Sequence, residues 1–355
     1  MPSSPRAGVR TSDSWRRLTL TARRLYHSRE RRQTISKQTK NGLRALQPDK
    51  PRRRRMAKLG FVGLGIMGGP MARALMRAGH EVALWSHSKG KAEKIAAEGK
   101  GATACASPAE VAAKSECVFL CVGDTKMSRE VILGSNGLAS GKKGALTIVD
   151  CSTISVSESR KIGAELKAKG IDFLEAPCSG SKAGAEGATL TFMIGGEPAV
   201  YERVRPYLEA MGKQLYYCGA AGMGLQAKLS QNMLLGGLLQ AFNESFVLAA
   251  KAGVDLNLLL DIVNNSAARS GMVSGKAPMA LARNFEPNFS VKWLEKDMAL
   301  MLESAAEHNV PAPVTALARE MLRAAIAEGY GDEDIIGSVR VLEKMAGCKV
   351  ESAHK

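Results

Sequence analysis

Six residues constrain this chain more than any others: Gly63-Leu64-Gly65-Ile66-Met67-Gly68. They follow a short apolar run, Lys58–Val62, and open a helical pattern over residues 67–78, after which a second apolar run, Glu81–Trp85, begins. In a G-x-G-x-x-G set between a strand and a helix, the first glycine allows a tight turn. The second lets a pyrophosphate come up to the backbone, and the third lets the helix pack on the strand. The open N–H groups at the helix start and the positive end of its dipole then favour the anion. The six residues are therefore a candidate dinucleotide-binding loop, with a bare strand–helix turn as the alternative.

The rest of the folded region extends that pattern. Apolar runs at 117–121, 146–149, 173–176, 189–194 and 214–217 predict strands. Between them lie helices capped by Ser107-Pro108-Ala109-Glu110 and by Ser155-Val156-Ser157-Glu158, and a further helix over 198–211. Such alternation predicts a largely parallel sheet covered on both faces. After Gly222 the strands stop. Residues 226–252 are apolar or small nearly all round, which predicts one long buried helix, and further helices are expected at 256–266, 274–282, 291–308, 315–328 and 334–345. The expected architecture is an α/β, Rossmann-type doubly wound domain over 56–220, followed by an all-α domain over 221–350, the two joined by the long helix. The longest apolar run, 233–242, is broken by Gly and Gln, so neither a membrane span nor a membrane partner is expected.

The net charge of +16 would ordinarily point to nucleic acid or a membrane surface, but residues 1–55 hold 17 of the 50 Lys and Arg and 3 of the 34 Asp and Glu. The remainder carries only +2, so no nucleic-acid partner is expected of the folded part. Residues 1–55 lack an apolar period and end in Pro51-Arg52-Arg53-Arg54-Arg55, the composition of a disordered basic tail. Three readings fit this tail: translation that begins at Met56, an Arg- and Ser-rich transit peptide, and a nucleic-acid-binding arm. The seven cysteines show neither a Cys-x-x-Cys pair nor zinc spacing, which predicts a reduced intracellular chain without a metal. The expected location is cytoplasmic, or an organellar matrix if 1–55 is a transit peptide.

Four further segments carry candidate chemistry. At the end of the second strand an acid would bind the ribose 2′-hydroxyl of NAD. Ser86-His87-Ser88, with Lys89 and Lys91 nearby, suits a 2′-phosphate instead, so NADP is expected, with NAD as the alternative. A hydride-transfer enzyme also needs a proton donor. The five histidines, at 27, 80, 87, 308 and 354, all fall outside plausible catalytic loops. Lys228 and Asn232 share one face near the start of the long helix, and the next charged residue is Glu244. A lysine there is either catalytic, with its pKa pulled down by burial, or a snorkelling structural residue. Small residues in Glu175-Ala176-Pro177-Cys178-Ser179-Gly180-Ser181-Lys182 expose N–H groups that can cradle a carboxylate, and Asp150-Cys151-Ser152-Thr153 follows a strand where open α/β sheets place ligands. A surface turn and a capping loop are the respective alternatives.

These motifs together resemble the β-hydroxyacid dehydrogenases, the family of 3-hydroxyisobutyrate dehydrogenase, tartronate semialdehyde reductase and the glyoxylate/succinic semialdehyde reductases. The resemblance spans about 290 residues from Met56 and is carried by Gly63 through Ala72, Asp150-Cys151-Ser152-Thr153, Ala176 through Ser181, Gly222 through Asn232, and Phe289 through Met298. It implies Lys228 as general acid in reduction and base in oxidation, and Asn232 as a substrate-positioning group. It also implies Ser179, Gly180 and Ser181 as the carboxylate cradle, and Thr153 beside nicotinamide and substrate. Lys296 would reach the cofactor, with Phe289 and Asp297 closing the site. Two departures stand out: Ala74 replaces the family's usual Asn, and Ser86-His87-Ser88 lacks the Arg of NADP-preferring members. The distal segment looks most like the glyoxylate/succinic semialdehyde reductases. The resemblance thus implies NADPH-dependent reduction of a small aldehyde or oxo acid by a homodimer or homotetramer. The alternatives are NAD-linked oxidation of 3-hydroxyisobutyrate and, from another class, a non-catalytic nucleic-acid-associated oligomerisation module.

Overall fold

The computed structural model describes residues 56–99 and 101–352, so the expectations for the basic tail lie outside the described residues. The chain opens with β1 (Lys58–Val62), the glycine turn, α1 (Gly68–Arg77) and β2 (Glu81–Trp85). It continues through α2 (Lys91–Ala96), β3 (Ala102–Ala104), α3 (Pro108–Ala113), β4 (Cys117–Leu120), α4 (Thr125–Leu133) and β5 (Thr147–Asp150). Next come α5 (Val156–Ala168), β6 (Asp172–Glu175), β7 (Cys178–Ser179), α6 (Ser181–Glu186), β8 (Leu190–Gly196), α7 (Pro198–Met211) and β9 (Gly212–Gly219). The strands run in the order β3-β2-β1-β4-β5-β6-β8, with both β7 and β9 on β8. The first six strands are parallel, whereas β8 lies antiparallel to β6 and β7. The order reverses between β1 and β4, and outside the C-terminal ends of those strands a doubly wound sheet opens its ligand crevice.

Every residue of β4 and β5 is buried, as a central parallel strand with both faces covered requires. Alternate residues feed two separate cores. Leu59, Phe61, Val82, Leu84, Phe119 and Val149 enter one, against α1 and α7. Val62, Ala83, Val118, Leu120 and Ile148 enter the other, which does not stop at the domain boundary but continues through Leu225, Leu229, Phe242 and Met298 to Leu322.

The helical half is α8 (Met223–Lys251), α9 (Leu256–Asn264), α10 (Gly271–Leu281), α11 (Val291–Glu307), α12 (Pro313–Ala327) and α13 (Val339–Ala346), with a 3₁₀ turn at Ile335–Ser338. At 29 residues, α8 is the one described helix long and apolar enough to cross a membrane, where the broken run at 233–242 predicts none. Its surroundings account for its composition. It packs against α9 to α13 and against β8 and β9, and it buries Lys228, Asn232, Gln240 and Asn243 along its length. Other differences are local. The three-residue β3 exists through its pairing with β2. The turn expected after Ala176 contains β7 and the start of α6. The helix expected over 334–345 opens as the 3₁₀ turn because the Asp334 carboxylate caps Ile336 N–H.

Candidate active site

The glycine loop divides its labour as steric demand requires. Gly63 has φ 89°, and a Cβ there would lie 2.2 Å from the Cys121 carbonyl oxygen. A Cβ on Gly68 would lie 1.8 Å from the carbonyl oxygen of Gly63. Around Gly65, by contrast, a Cβ would meet nothing within 4 Å, and both Gly65 and Ile66 are exposed. Leu64 is buried beneath the loop, and Met67 is half-buried as the N-cap of α1. No side chain caps α1, and its first turn holds no acid. A pyrophosphate fits this cradle: the open space, the helix N-terminus and the lack of negative charge all favour it. At the end of β2, Ser86 is half-buried while His87, Ser88, Lys89 and Lys91 are exposed, and no carboxylate stands among them.

The sheet and the helical half meet at a buried polar chain. Lys228 Nζ donates to Asn232 Oδ1 at 3.1 Å, and Asn232 Nδ2 donates to Asp297 Oδ2 at 2.7 Å. The other Asp297 oxygen pairs with Lys296 Nζ at 2.9 Å, and that ammonium also donates to the Thr153 carbonyl at 2.5 Å. Lys228 is 7% exposed and Asn232 1%. Burial pushes the Lys228 pKa below the usual lysine range; Asp297 and Cys178 pull it back up, and Lys296 adds to the depression. Five expected site residues, Lys228, Asn232, Asp297, Lys296 and Thr153, are thus joined by three hydrogen bonds and one ion pair across some 140 residues of sequence.

The other expected residues lie differently. Asp150 turns inward, accepting from Ser128 Oγ and from Ser152 N–H, so it shapes the loop, and burial raises its pKa. Of its segment only Thr153 is left half-exposed. Ser179 pairs with Thr191 in the β7–β8 ladder. Gly180 and Ser181 follow at φ 139° and 57°, two successive left-handed residues that turn the chain into α6. Cys178 lies within electrostatic reach of Lys228; burial pushes its thiol up to about 11, which suits a packing group better than a nucleophile. Phe289 is half-buried, and its N–H donates to Asp334, so its hydrogen bonds run to the C-terminal segment and not to Lys228 or Asn232.

Two carboxylates that hold this region together have no local signature. Asp334 is fully buried, accepts Lys276 Nζ on both oxygens, and takes the N–H groups of Asn288, Phe289 and Ile336. Glu175 accepts from the N–H groups of Gly224 and Leu225 at the start of α8. Local sequence encodes neither role, because apart from Ile336 beside Asp334 these partners lie dozens of residues away. Among the described residues no group of His, Cys, Asp or Glu could hold a metal ion.

A doubly wound sheet with this glycine cradle and a following helical half defines an NAD(P)-dependent oxidoreductase. Residues 58–219 match the family model described as the NAD binding domain of 6-phosphogluconate dehydrogenase. Residues 222–342 match that of the NAD-binding region of NADP-dependent 3-hydroxyisobutyrate dehydrogenase. The chain is 36% identical over 285 residues to glyoxylate/succinic semialdehyde reductase 2, chloroplastic, of Arabidopsis thaliana, covering 80% of this chain and 79% of that one. It is 35% identical over 298 residues to 2-(hydroxymethyl)glutarate dehydrogenase of Eubacterium barkeri, covering 84% and 98%. A solved 3-hydroxyisobutyrate dehydrogenase of Mycobacterium tuberculosis superposes with a TM-score of 0.74 at 31% identity, covering 81% and 99%. The chain belongs to the β-hydroxyacid dehydrogenase family.

Proposed function

We propose that the chain reduces a small aldehyde or oxo acid with NADPH, glyoxylate, succinic semialdehyde and tartronate semialdehyde being the candidate substrates. The observation that carries this reading is the buried Lys228 ammonium held by Asn232. The bound nicotinamide supplies the hydride. Lys228 Nζ donates a proton to the substrate oxygen as charge develops on it, and Asn232 fixes that ammonium and the substrate. Ser179, Gly180 and Ser181 receive the substrate carboxylate through backbone and hydroxyl donors. Thr153, Lys296, Asp297 and Phe289 enclose the reacting end, and Ser86, His87 and Ser88 take the adenosine end. The lack of an acid at Ser86 supports NADP over NAD.

The same reading makes the protein a homodimer or homotetramer, for which the exposed Leu234 and Leu248 of α8 offer an apolar surface. It works in the cytoplasm, or in an organellar matrix if residues 1–55 are a transit peptide. The test is a panel of initial rates: glyoxylate, succinic semialdehyde and tartronate semialdehyde with NADPH or NADH, and 3-hydroxyisobutyrate with NAD or NADP. Preference for an aldehyde acid with NADPH is expected. Preference for 3-hydroxyisobutyrate with NAD would overturn both substrate and cofactor. Lys228→Ala is expected to lower kcat by about 10²–10⁴-fold with NADPH affinity kept. Near-wild-type turnover would remove Lys228 from the mechanism.

A further inference from the structure

The start of α8 has no cap of its own. Its N-cap is Gly222, at φ 93°, and no side chain there accepts from the first turn. The missing acceptor comes from the sheet. Glu175 Oε1, at the end of β6, takes Gly224 N–H at 2.9 Å and Leu225 N–H at 3.2 Å. Its other oxygen is held by Ser159 Oγ of α5 at 3.1 Å, and the neighbouring Arg160 donates to the carbonyl of Ala221 at 3.1 Å.

The seat around this contact is tight. Glu175 lies opposite Gly195 across the β6–β8 ladder, and a Cβ on Gly195 would lie 2.3 Å from Glu175 Oε1. A Cβ on Gly224 would lie 2.5 Å from the carbonyl oxygen of Met193. Helix and sheet therefore approach backbone to backbone, with the carboxylate wedged at the joint. A Ser or Asp at the N-cap would satisfy the same N–H groups locally, without burying a carboxylate at 1% exposure. What a local cap cannot do is fix the helix to the sheet. Gly224, Lys228 and Asn232 follow at i, i+4 and i+8, so the face gripped by Glu175 is the face that carries the amine.

We infer that Glu175 is the positioning residue that sets Lys228 against the cofactor crevice, anchoring the helix one turn before the amine. This rests on the reading of Lys228 as the proton donor. A displacement of about 1 Å at a reacting group costs on the order of 10²-fold in rate, so Glu175→Ala should lower kcat by about that factor while NADPH affinity stays within about twofold. Glu175→Gln keeps one acceptor oxygen. It should recover part of the loss and show a larger solvent deuterium effect on kcat than wild type, because proton transfer from a misplaced amine becomes slower. Lys228→Ala is measured alongside. If Lys228→Ala is inactive but both Glu175 variants keep wild-type kcat and isotope effect, with only the melting temperature lowered, Glu175 is merely structural and the inference fails alone. If Lys228→Ala keeps its turnover, the inference falls together with the reading of the lysine. Should Glu175→Ala not fold, Glu175→Gln decides the matter through kcat and the isotope effect.

Discussion

A buried amine is useful for acid–base chemistry because the protein controls its protonation. Burial lowers the Lys228 pKa, while Asp297 and Cys178 oppose the shift. The sign of the pH dependence follows. Reduction needs the ammonium, so kcat should fall as pH rises through the lowered pKa, earlier than for a lysine in water. Oxidation needs the free amine, so its rate should rise through the same range. Profiles of kcat in both directions check this, and a reductive rate that is flat until the ordinary lysine range would exclude Lys228 as the acid. The lysine was legible in sequence because no other charge accompanies it until Glu244 on an otherwise apolar helix. Its partner Asn232 was legible from i, i+4 spacing. Glu175 and Asp334 were not, since a carboxylate's chemistry depends on which N–H groups the fold brings to it, and local sequence does not encode that.

At the scale of the element, the turn before α1 shows how three glycines of one motif differ. Adding a methyl at Gly68 drives it into the Gly63 carbonyl, whereas at Gly65 it enters open space. Gly68→Ala should therefore lower the melting temperature. Gly65→Ala should leave the melting temperature unchanged but, if the loop holds the cofactor as proposed, weaken NADPH binding by about tenfold or more, because the methyl would stand where a pyrophosphate has to approach the backbone. Calorimetry with cofactor titration separates the two, and equal melting losses would contradict the division of roles. The strands β1, β4 and β5 were legible because strands buried on both faces read as unbroken apolar runs. The elements α2, β3 and α4 were not read. The first two are 6 and 3 residues long, too short for a period to emerge. The 9-residue α4 is capped by Asp124, a residue equally common in turns.

For the whole molecule, the described residues from Met56 onward pack as one unit. Removing residues 1–55 should leave turnover and melting temperature within error of the full chain, measured side by side, and a large loss of either would make the tail part of the working fold. Inside the unit, the core that begins on one sheet face and ends among the last helices has a consequence for how such a chain can be divided. The two family models meet at Gly222, where a genetic cut would look natural. A cut there leaves Glu175 on one fragment and the helix it holds, with Lys228, on the other. Each piece would expose half of a single apolar interior. Recombination at residue 221 is therefore expected to yield two halves that each lack one side of the Glu175 contact and of the shared core, so that neither folds or turns over alone.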